Sequence, residues 1–189
     1  MRKGLLVVIS GPSAVGKDTV TRRLLALDPD LRYSVSATTR SPRPGEADGA
    51  NYTFVTRDEF RKLVDQGVFL EHAEYAGNLY GTLRERVEQG NMDGHDVVLK
   101  IDVQGAEQVR TQKPHAVFIF LAPPSMQELE RRQAMRDSES IQDRAERREI
   151  AEREMAYAPH YEHVVVNDEV ERAVGEIRQI IDDARRRVS

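Results

Sequence analysis

Residues 5–17 read LLVVISGPSAVGK, and this stretch predicts the core of the fold. Leu5–Ile9 is a short, continuous apolar run, which is typical of a strand covered on both faces. A glycine-bearing loop follows, and a helical pattern then places Val20 and Leu24 on one side until Asp28-Pro29 ends it. The sequence therefore begins with a strand–loop–helix unit.

The same alternation returns three times along the chain. Apolar strand-like runs at Asp96–Ile101, Ala116–Ala122 and Val164–Val166 are each followed by an amphipathic helical pattern. Apolar strands that alternate with amphipathic helices predict an α/β fold, in which helices flank a parallel sheet.

A polar segment rich in Gly, Pro and Tyr, residues 34–84, interrupts this alternation. Strand-like pieces are predicted at Ser34–Ala37, Tyr52–Val55 and Phe69–Tyr75. A helix between them opens with the capping box that starts at Thr56 and ends at Gly67. We interpret the segment as a small inserted α+β flap.

A second interruption, Glu130–Glu154, is dense in arginine and glutamate with few apolar residues. Its charge pattern alone favours a solvated helix pair with ion pairs four residues apart. No repeat or linker is apparent, so residues 1–189 are predicted to form one domain with two inserted segments.

The composition narrows the classes of function. The chain has 189 residues, a formal charge of −4 and no cysteine, which excludes disulfides and thiolate chemistry and suits a reducing, cytoplasmic setting. The apolar run near the start is too short for a membrane span or a signal core. A mildly acidic chain has no general affinity for nucleic acid. We expect neither a membrane, a nucleic acid nor a protein partner.

The loop Gly11-Pro12-Ser13-Ala14-Val15-Gly16-Lys17 has the spacing of a phosphate-binding loop. Its glycines let consecutive N–H groups point at phosphate oxygens, the helix start adds positive charge, and the lysine reaches the terminal phosphates. An ordinary glycine-bearing turn is the alternative, but the position after the first buried strand favours nucleotide binding.

The residue after this lysine departs from the usual pattern. A hydroxyl group normally contributes a magnesium ligand there, whereas this chain has Asp18, followed by Thr19. A carboxylate is a good ligand for a hard cation, but its charge lies close to the phosphates and needs compensation.

The flap contains a second candidate anion site. Arg40 and Arg43 lie three residues apart on a proline-stiffened loop and can converge on one phosphate, with the hydroxyls of Tyr52 and Tyr80 completing the set. Taken alone, the two arginines are better explained as incidental residues of a solvated loop.

Two acidic residues further along the chain favour a purine base that carries two adjacent hydrogen-bond donors. Guanine presents N1–H and N2–H₂ side by side, and one carboxylate accepts both, whereas adenine leaves that carboxylate unpaired. Glu71 and Asp102 are candidates for this role, and Ser36 and Thr82 are candidates for the guanine O6. Sequence spacing does not prove that these four residues converge.

Several motifs in order closely resemble the guanylate kinases, the ATP:GMP phosphotransferases. They are GPSAVGK at 11–17, SVSATTRSPRPGE at 34–46, DGANYTF at 48–54, FLEHAEYAGNLYGT at 69–82, IDVQGA at 101–106, FIFLAPPS at 118–125 and VVVND at 164–168. The resemblance runs nearly end to end. It implies a P-loop kinase core (residues 1–33, 85–124 and 156–189), a GMP-binding subdomain (34–84) and a helical lid (125–155).

The resemblance also implies roles for individual residues. GMP is held by Ser36, Arg40, Arg43, Tyr52, Glu71, Tyr80, Thr82 and Asp102. ATP is bound by the phosphate loop, residues 11–19, with Asn167 as the contact on the adenine side. Mg²⁺ accompanies ATP, and Asp18 is a candidate ligand, directly or through water.

Lys17 and two arginines of the implied lid are expected to catalyse the reaction by neutralising the charge on the migrating phosphoryl group. Arg136 resembles the first lid arginine, although Asp137 replaces the glycine that usually follows it. Counting without gaps gives Arg147 as the second, whereas a local I-x-x-R pattern gives Arg144. Arg147 is preferred.

Lys100 stands where the family usually has an acidic residue, two positions before Asp102. Together with Asp18 it suggests a swap, in which the carboxylate moves to the loop and a cation takes its place on the strand. This hypothesis predicts that the two side chains pair. Two unrelated changes in a tolerant region are the alternative.

Two other functions remain open from the sequence. One is a small P-loop kinase for another phosphorylated acceptor, such as ribose bisphosphate, since such loops also carry Gly-Lys-Asp. The other is a catalytically silent guanylate-kinase-like binding module, but such modules lose the glycine loop and its lysine, which this chain keeps.

Overall fold

A computed structural model of the chain describes residues 4–75, 77–135 and 141–188, with the side chains of 141–147 outside the description. The strands are β1 (Leu6–Ser10), β2 (Leu31–Tyr33), β3 (Ala37–Thr38), β4 (Thr53–Phe54), β5 (Phe69–Tyr75), β6 (Asn78–Leu83), β7 (Asp96–Lys100), β8 (Val117–Ala122) and β9 (His163–Val166). The helices are α1 (Lys17–Leu27), α2 (Arg57–Asp65), α3 (Arg84–Met92), α4 (Val103–Gln112), α5 (Met126–Ala134), α6 (Ile141–Met155) and α7 (Val170–Val188).

The predicted α/β architecture is confirmed. A five-stranded sheet has the order β2-β7-β1-β8-β9, with parallel pairing of β2 with β7, β1 with β8, and β8 with β9. A second sheet has the order β4-β3-β6-β5. The described residues divide into two compact units. The first takes those within Met1–Leu6, Asp30–Leu99 and Gln104–Ala116, and the second takes those within Val7–Pro29, Lys100–Val103 and Val117–Ser189.

The second unit is built around β1, whose five residues are all buried. Buried residues of β8 pair with it in register, Ile9 opposite Ile119 among them, and α1 packs against α7. Gly11, at the end of β1, has no room for a side chain because an added Cβ would lie 2.2 Å from the carbonyl oxygen of Leu121. This contact fixes where the loop leaves the sheet.

The first unit contains the second sheet and a small aromatic core. Ala37, Phe60 and Phe69 are buried together, and the rings of Phe60 and Phe69 stack with centroids 4.6 Å apart. The capping box predicted at the start of α2 is confirmed, since the side chains of Thr56 and Glu59 each bond the other's backbone N–H. The predicted helix end at Gly67 is also confirmed, because Gly67 adopts a φ of 66° just past the last turn.

The strand predicted at Ser34–Ala37 is wrong in extent. Leu31–Tyr33 pairs with β7, whereas Ala37–Thr38 pairs with β4 and β6, so residues 34–36 cross from one sheet to the other. The prediction covered these crossing residues and missed Leu31–Tyr33, because strands of two or three residues are too short to show an alternating pattern. In the described part of the chain, no helix combines the length and the apolar character that crossing a membrane would need.

Candidate functional site

The phosphate loop of the second unit has the positive φ values that its glycines permit. Gly11, Ala14 and Gly16 have φ values of 139°, 67° and 106°. Gly16 also lacks room for a side chain, since an added Cβ would lie 2.4 Å from Nδ2 of Asn167. Left-handed backbone and close approach at one position explain why only glycine fits there. The loop therefore curls as an anion-binding loop requires.

Lys17, at the start of α1, folds back over its own loop. Its ammonium donates hydrogen bonds to the carbonyl oxygens of Gly11 and of Pro12, the latter at 3.0 Å. Burial lowers the pKa of Lys17 below 10.5, although nearby carboxylates oppose this effect, Glu154 most strongly. The lysine is thus held at the loop that would receive phosphates.

Two side chains hold the phosphate loop by bonding the carbonyl oxygen of Val15. The Asn167 amide nitrogen donates to the Val15 carbonyl at 2.8 Å, and Arg132 of α5 donates to the same carbonyl at 3.2 Å. Arg132 also donates to the backbone oxygen of Asn167 at 3.1 Å. The side-chain oxygen of Asn167 is buried and has no hydrogen-bond donor among the described residues. This orphaned acceptor is suited to a donor from a ligand.

Glu154 of α6 is a site residue that the sequence did not reveal. Its side chain is buried, with 7% of the residue exposed, and accepts a hydrogen bond from the Ser13 backbone N–H at 3.3 Å. Burial raises the pKa of its carboxyl group, against the opposing effect of the Lys17 charge. In a run of alternating arginines and glutamates, nothing in the sequence distinguishes this glutamate from its solvated neighbours.

The predicted proximity of Asp18 and Lys100 is confirmed. The Lys100 ammonium donates a hydrogen bond to the Asp18 carboxylate, and both charges act on Lys17. The Lys100 side chain is 14% exposed, whereas that of Asp18 is 66% exposed. The loop carboxylate and the strand cation therefore compensate each other beside the phosphate loop.

In the first unit, β5, β6 and the residue before β3 bring together three of the predicted acceptor-site residues. Glu71 lies opposite Thr82, and the Thr82 hydroxyl donates to the Glu71 carboxylate at 2.6 Å. Glu71 is 4% exposed and Thr82 is fully buried. Ser36, also buried, precedes Ala37, which pairs with Gly81, so the same register places Ser36 beside Thr82. A buried carboxylate and two hydroxyls thus share one region.

Arg40 lies at the start of the loop after β3 and is held by a partner that the sequence analysis did not assign. Its guanidinium donates to both carboxylate oxygens of Glu46, at 2.8 and 2.9 Å, and lies 5.3 Å from the centre of the Tyr52 ring. The Tyr52 and Tyr80 rings meet edge to face at 6.0 Å. Arg43 donates its backbone N–H to Glu46 at 2.8 Å.

Glu46 is ionised in this arrangement. Partial burial raises its pKa, but the hydrogen bonds from the Arg43 backbone and the Arg40 guanidinium outweigh burial, and the net shift is downward. The spacing of Glu46 after Arg40 within one short loop was a usable signal for this pair. The paired charges preorganise the Arg40 guanidinium.

Comparison with known proteins identifies the family. Residues 3–184 match the family model described as guanylate kinase. The chain belongs to the guanylate kinase family. A guanylate kinase of Desulfitobacterium hafniense is 49% identical over 94% of this chain and 89% of its own length, and one of Symbiobacterium thermophilum is 50% identical over 95% and 85%. A crystal structure of guanylate kinase from Anaplasma phagocytophilum superposes with a TM-score of 0.82, 34% identity and coverage of 97% and 87%.

The resemblance to guanylate kinases also implied roles for Asp102, Arg136 and Arg147. Asp102 belongs to the second unit, where its charge acts on Lys17 and Glu154. Arg136 lies outside the described residues. Arg147 lies on α6, but its side chain is outside the description, as is that of Arg144. The two lid arginines therefore stay predictions.

Within the part of the chain that the structure describes, no three His, Asp or Glu side chains are grouped so that they could hold a metal ion. Asp18 is the carboxylate that the phosphate loop itself contributes. A single carboxylate fits a hard cation that takes its other ligands from phosphate oxygens and water.

Proposed function

We propose that this guanylate kinase transfers the γ-phosphoryl group of ATP to the phosphate of GMP, giving ADP and GDP. Family membership over nearly the whole chain supports the reaction, and the curated relatives at 47–50% identity carry the same name. The observation that carries the choice of acceptor is the buried Glu71 carboxylate beside the hydroxyl of Thr82.

Glu71 is proposed to read the guanine base. A buried carboxylate is stabilised only when it receives hydrogen bonds, and guanine N1–H and N2–H₂ provide two adjacent donors. The hydroxyls of Ser36 and Thr82 are assigned to O6. The single Thr82 proton goes to Glu71 in this structure, and it is proposed to turn to O6 when the donors of the base take its place on the carboxylate. Adenine offers no adjacent donor pair, so binding AMP would leave the carboxylate unsatisfied. Asp102 is proposed as a second acceptor for the base.

The acceptor phosphate is assigned to Arg40 and Arg43, with the hydroxyls of Tyr52 and Tyr80. The Arg40 guanidinium already lies in a fixed orientation through Glu46, which reduces the conformational entropy lost when a phosphate binds. A dianionic phosphate and the Glu46 carboxylate then share the donors of the two arginines. The aromatic contact with Tyr52 supports the same orientation of Arg40.

The triphosphate of ATP is assigned to the phosphate loop, Gly11 to Thr19. Its N–H groups and the start of α1 favour negative charge, and Lys17 reaches the terminal phosphates. The orphaned oxygen of Asn167 is suited to the amino group of adenine, which supports the adenine-side contact. Mg²⁺ is proposed to enter with ATP, where it neutralises phosphate charge, and Asp18 is its candidate protein ligand.

No general base is assigned, because the attacking phosphate oxygen is already anionic near neutral pH. Catalysis is proposed to rest on in-line positioning of the two nucleotides and on neutralising charge on the migrating group. Lys17 supplies one cation, and Arg136 and Arg147 are proposed to supply the others from the lid.

The absence of cysteine supports a reducing, cytoplasmic setting.

The proposal is tested by coupled measurement of ADP formation with GMP, AMP, ribose bisphosphate or no acceptor. Rapid ADP formation is expected when GMP is the acceptor, and not with AMP, ribose bisphosphate or no acceptor. Glu71→Gln should lower kcat/KM for GMP about 10- to 100-fold, the loss of hydrogen bonds to a charged group. Glu74→Gln, on the exposed part of the same strand, is the matched control. Equal turnover of GMP and AMP by the unaltered chain would refute the acceptor assignment.

A further inference from the structure

The strand that carries Glu71 is an edge strand. β5 is the last strand of its sheet, paired with β6 on one side only. The peptide groups of Leu70 and His72, which flank Glu71, form side-chain hydrogen bonds outside that pairing. Edge strands with unpaired peptide groups are prone to slip or fray. The position of the Glu71 carboxylate therefore depends on which groups form hydrogen bonds with the peptide groups of β5 that do not pair with β6.

Two glutamines of α4 form these hydrogen bonds. The Gln108 side chain accepts from the His72 backbone N–H at 3.1 Å and donates to the His72 carbonyl oxygen at 2.7 Å. Gln112 donates to the carbonyl oxygen of Leu70 at 2.7 Å. The Gln108 amide thus bonds a peptide group as a neighbouring strand would. Glutamine has the donor and acceptor pair that this requires.

The second glutamine is itself held in place. The Arg84 guanidinium donates to the Gln112 side-chain oxygen at 2.7 Å and to the Phe69 carbonyl oxygen at 3.2 Å. Since the amide oxygen of Gln112 accepts from Arg84, its nitrogen is the group that faces Leu70. Residues 69, 70 and 72 of β5 are therefore fixed from α3 and α4.

The strand needs this support at Glu71 in particular. The register of β5 against β6 shifts between Phe69 and Glu71, where a β-bulge or similar irregularity lies. A bulge re-aims the side chain next to it and weakens the local ladder. In this case, the irregularity puts Glu71 opposite Thr82, whose hydroxyl meets the carboxylate. The two glutamines bond the backbone immediately before and after this carboxylate.

We infer that Gln108 and Gln112 are positioning residues that fix the Glu71 carboxylate and thereby set the preference for a base with two adjacent donors. The inference rests on the proposed role of Glu71 as the reader of the guanine base. Two parallel hydrogen bonds to one carboxylate require both oxygens to be placed correctly. A carboxylate that is free to shift keeps one of these bonds and loses the other.

The experiment compares GMP with inosine monophosphate, whose base keeps N1–H but has no amino group at C2. Gln108→Met keeps the length of the side chain and removes both hydrogen bonds to His72. Gln112→Met removes the hydrogen bond to Leu70 and the acceptor for Arg84. Gln89→Met is the matched control, because Gln89 is an exposed residue of α3 in the same unit and its amide donates to Asp93. Full-length variants are measured by steady-state kinetics and thermal unfolding.

For Gln108→Met we expect kcat/KM with GMP to fall about tenfold, mainly through KM. Displacements near 1 Å cost up to ~100-fold, and the pairing of β5 with β6 limits the shift here. Turnover of inosine monophosphate should fall about two- to threefold, so that the preference for GMP narrows, while KM for ATP stays within about twofold. Gln112→Met should show the same narrowing to a smaller degree, and Gln89→Met none.

A purely structural role of the glutamines gives a different result. If both variants lose thermal stability but keep the ratio of GMP to inosine monophosphate turnover, the inference is wrong. Glu71→Gln separates this failure from failure of the proposed function. If Glu71→Gln abolishes the preference and the glutamine variants do not, Glu71 reads the base without their help. If Glu71→Gln leaves the preference unchanged, the assigned role of Glu71 fails, and the inference fails with it.

Discussion

Breaking the Asp18–Lys100 pair from the lysine side is expected to weaken nucleotide binding more than removing both residues together. Lys100→Ala leaves the Asp18 carboxylate uncompensated in the loop that is assigned to the triphosphate. Asp18→Ala with Lys100→Ala restores the original net charge. In the double variant, ATP affinity should therefore return to within about threefold of that of the unaltered chain, since one charge of each sign has been removed.

The size of this effect follows from the exposure of the pair. Two unit charges 4 Å apart interact by about 1 kcal/mol in a water-like dielectric and by about 4 kcal/mol at an effective dielectric constant near 20. Because the Asp18 side chain is 66% exposed, the lower figure is closer. A loss of about 1 to 2 kcal/mol corresponds to roughly 5- to 30-fold weaker binding of ATP to Lys100→Ala.

Calorimetric titration of the unaltered chain, Asp18→Ala, Lys100→Ala and the double variant with ATP in the absence of Mg²⁺ measures this coupling without turnover. Lys113→Ala is the control, because the Lys113 ammonium pairs with Glu88 at 3.1 Å on a partly exposed surface outside the assigned site. Equal loss of affinity in Lys100→Ala and in the double variant would refute the compensation argument. A gain of activity in Lys100→Glu would contradict it from the other direction.

Three further predictions concern the phosphate loop, α6 and the start of α2. Gly16→Ala should destabilise the fold by about 1 to 3 kcal/mol and weaken ADP binding, because φ is 106° and an added Cβ meets Asn167; chemical denaturation checks this against Gly175→Ala, whose Cβ meets nothing within 4 Å. Glu154→Gln should reduce the slope of the free energy of unfolding against pH just above pH 4.5. The raised pKa lets the folded chain keep a proton that the unfolded chain has lost, so the free energy of unfolding falls as pH rises through that range. Urea titrations at several pH values measure the slope, and an unchanged slope would count against the assignment. Thr56→Ala should cost about 1 kcal/mol by removing the cap of α2, and an unaltered urea midpoint would show that the cap contributes nothing.

The sequence determined the fold class and the phosphate loop because both depend on local patterns. A buried apolar run such as Leu6–Ser10 and an amphipathic helix such as α7 bury one face wherever they occur. The loop glycines and the capping box at Thr56 act within a few residues. The Asp18–Lys100 pair, 82 positions apart, was within reach only because both residues depart from a recognised pattern.

Only the tertiary structure revealed the contacts between distant polar side chains. Glu154 reaches Ser13 across 141 positions, and Gln108 reaches His72 across 36 positions. A glutamate in a charged run and a glutamine on a helix have no sequence signature, because their roles depend on which backbone group the folded chain leaves unsatisfied beside them. Such groups exist only once the strands have paired and their edges are set.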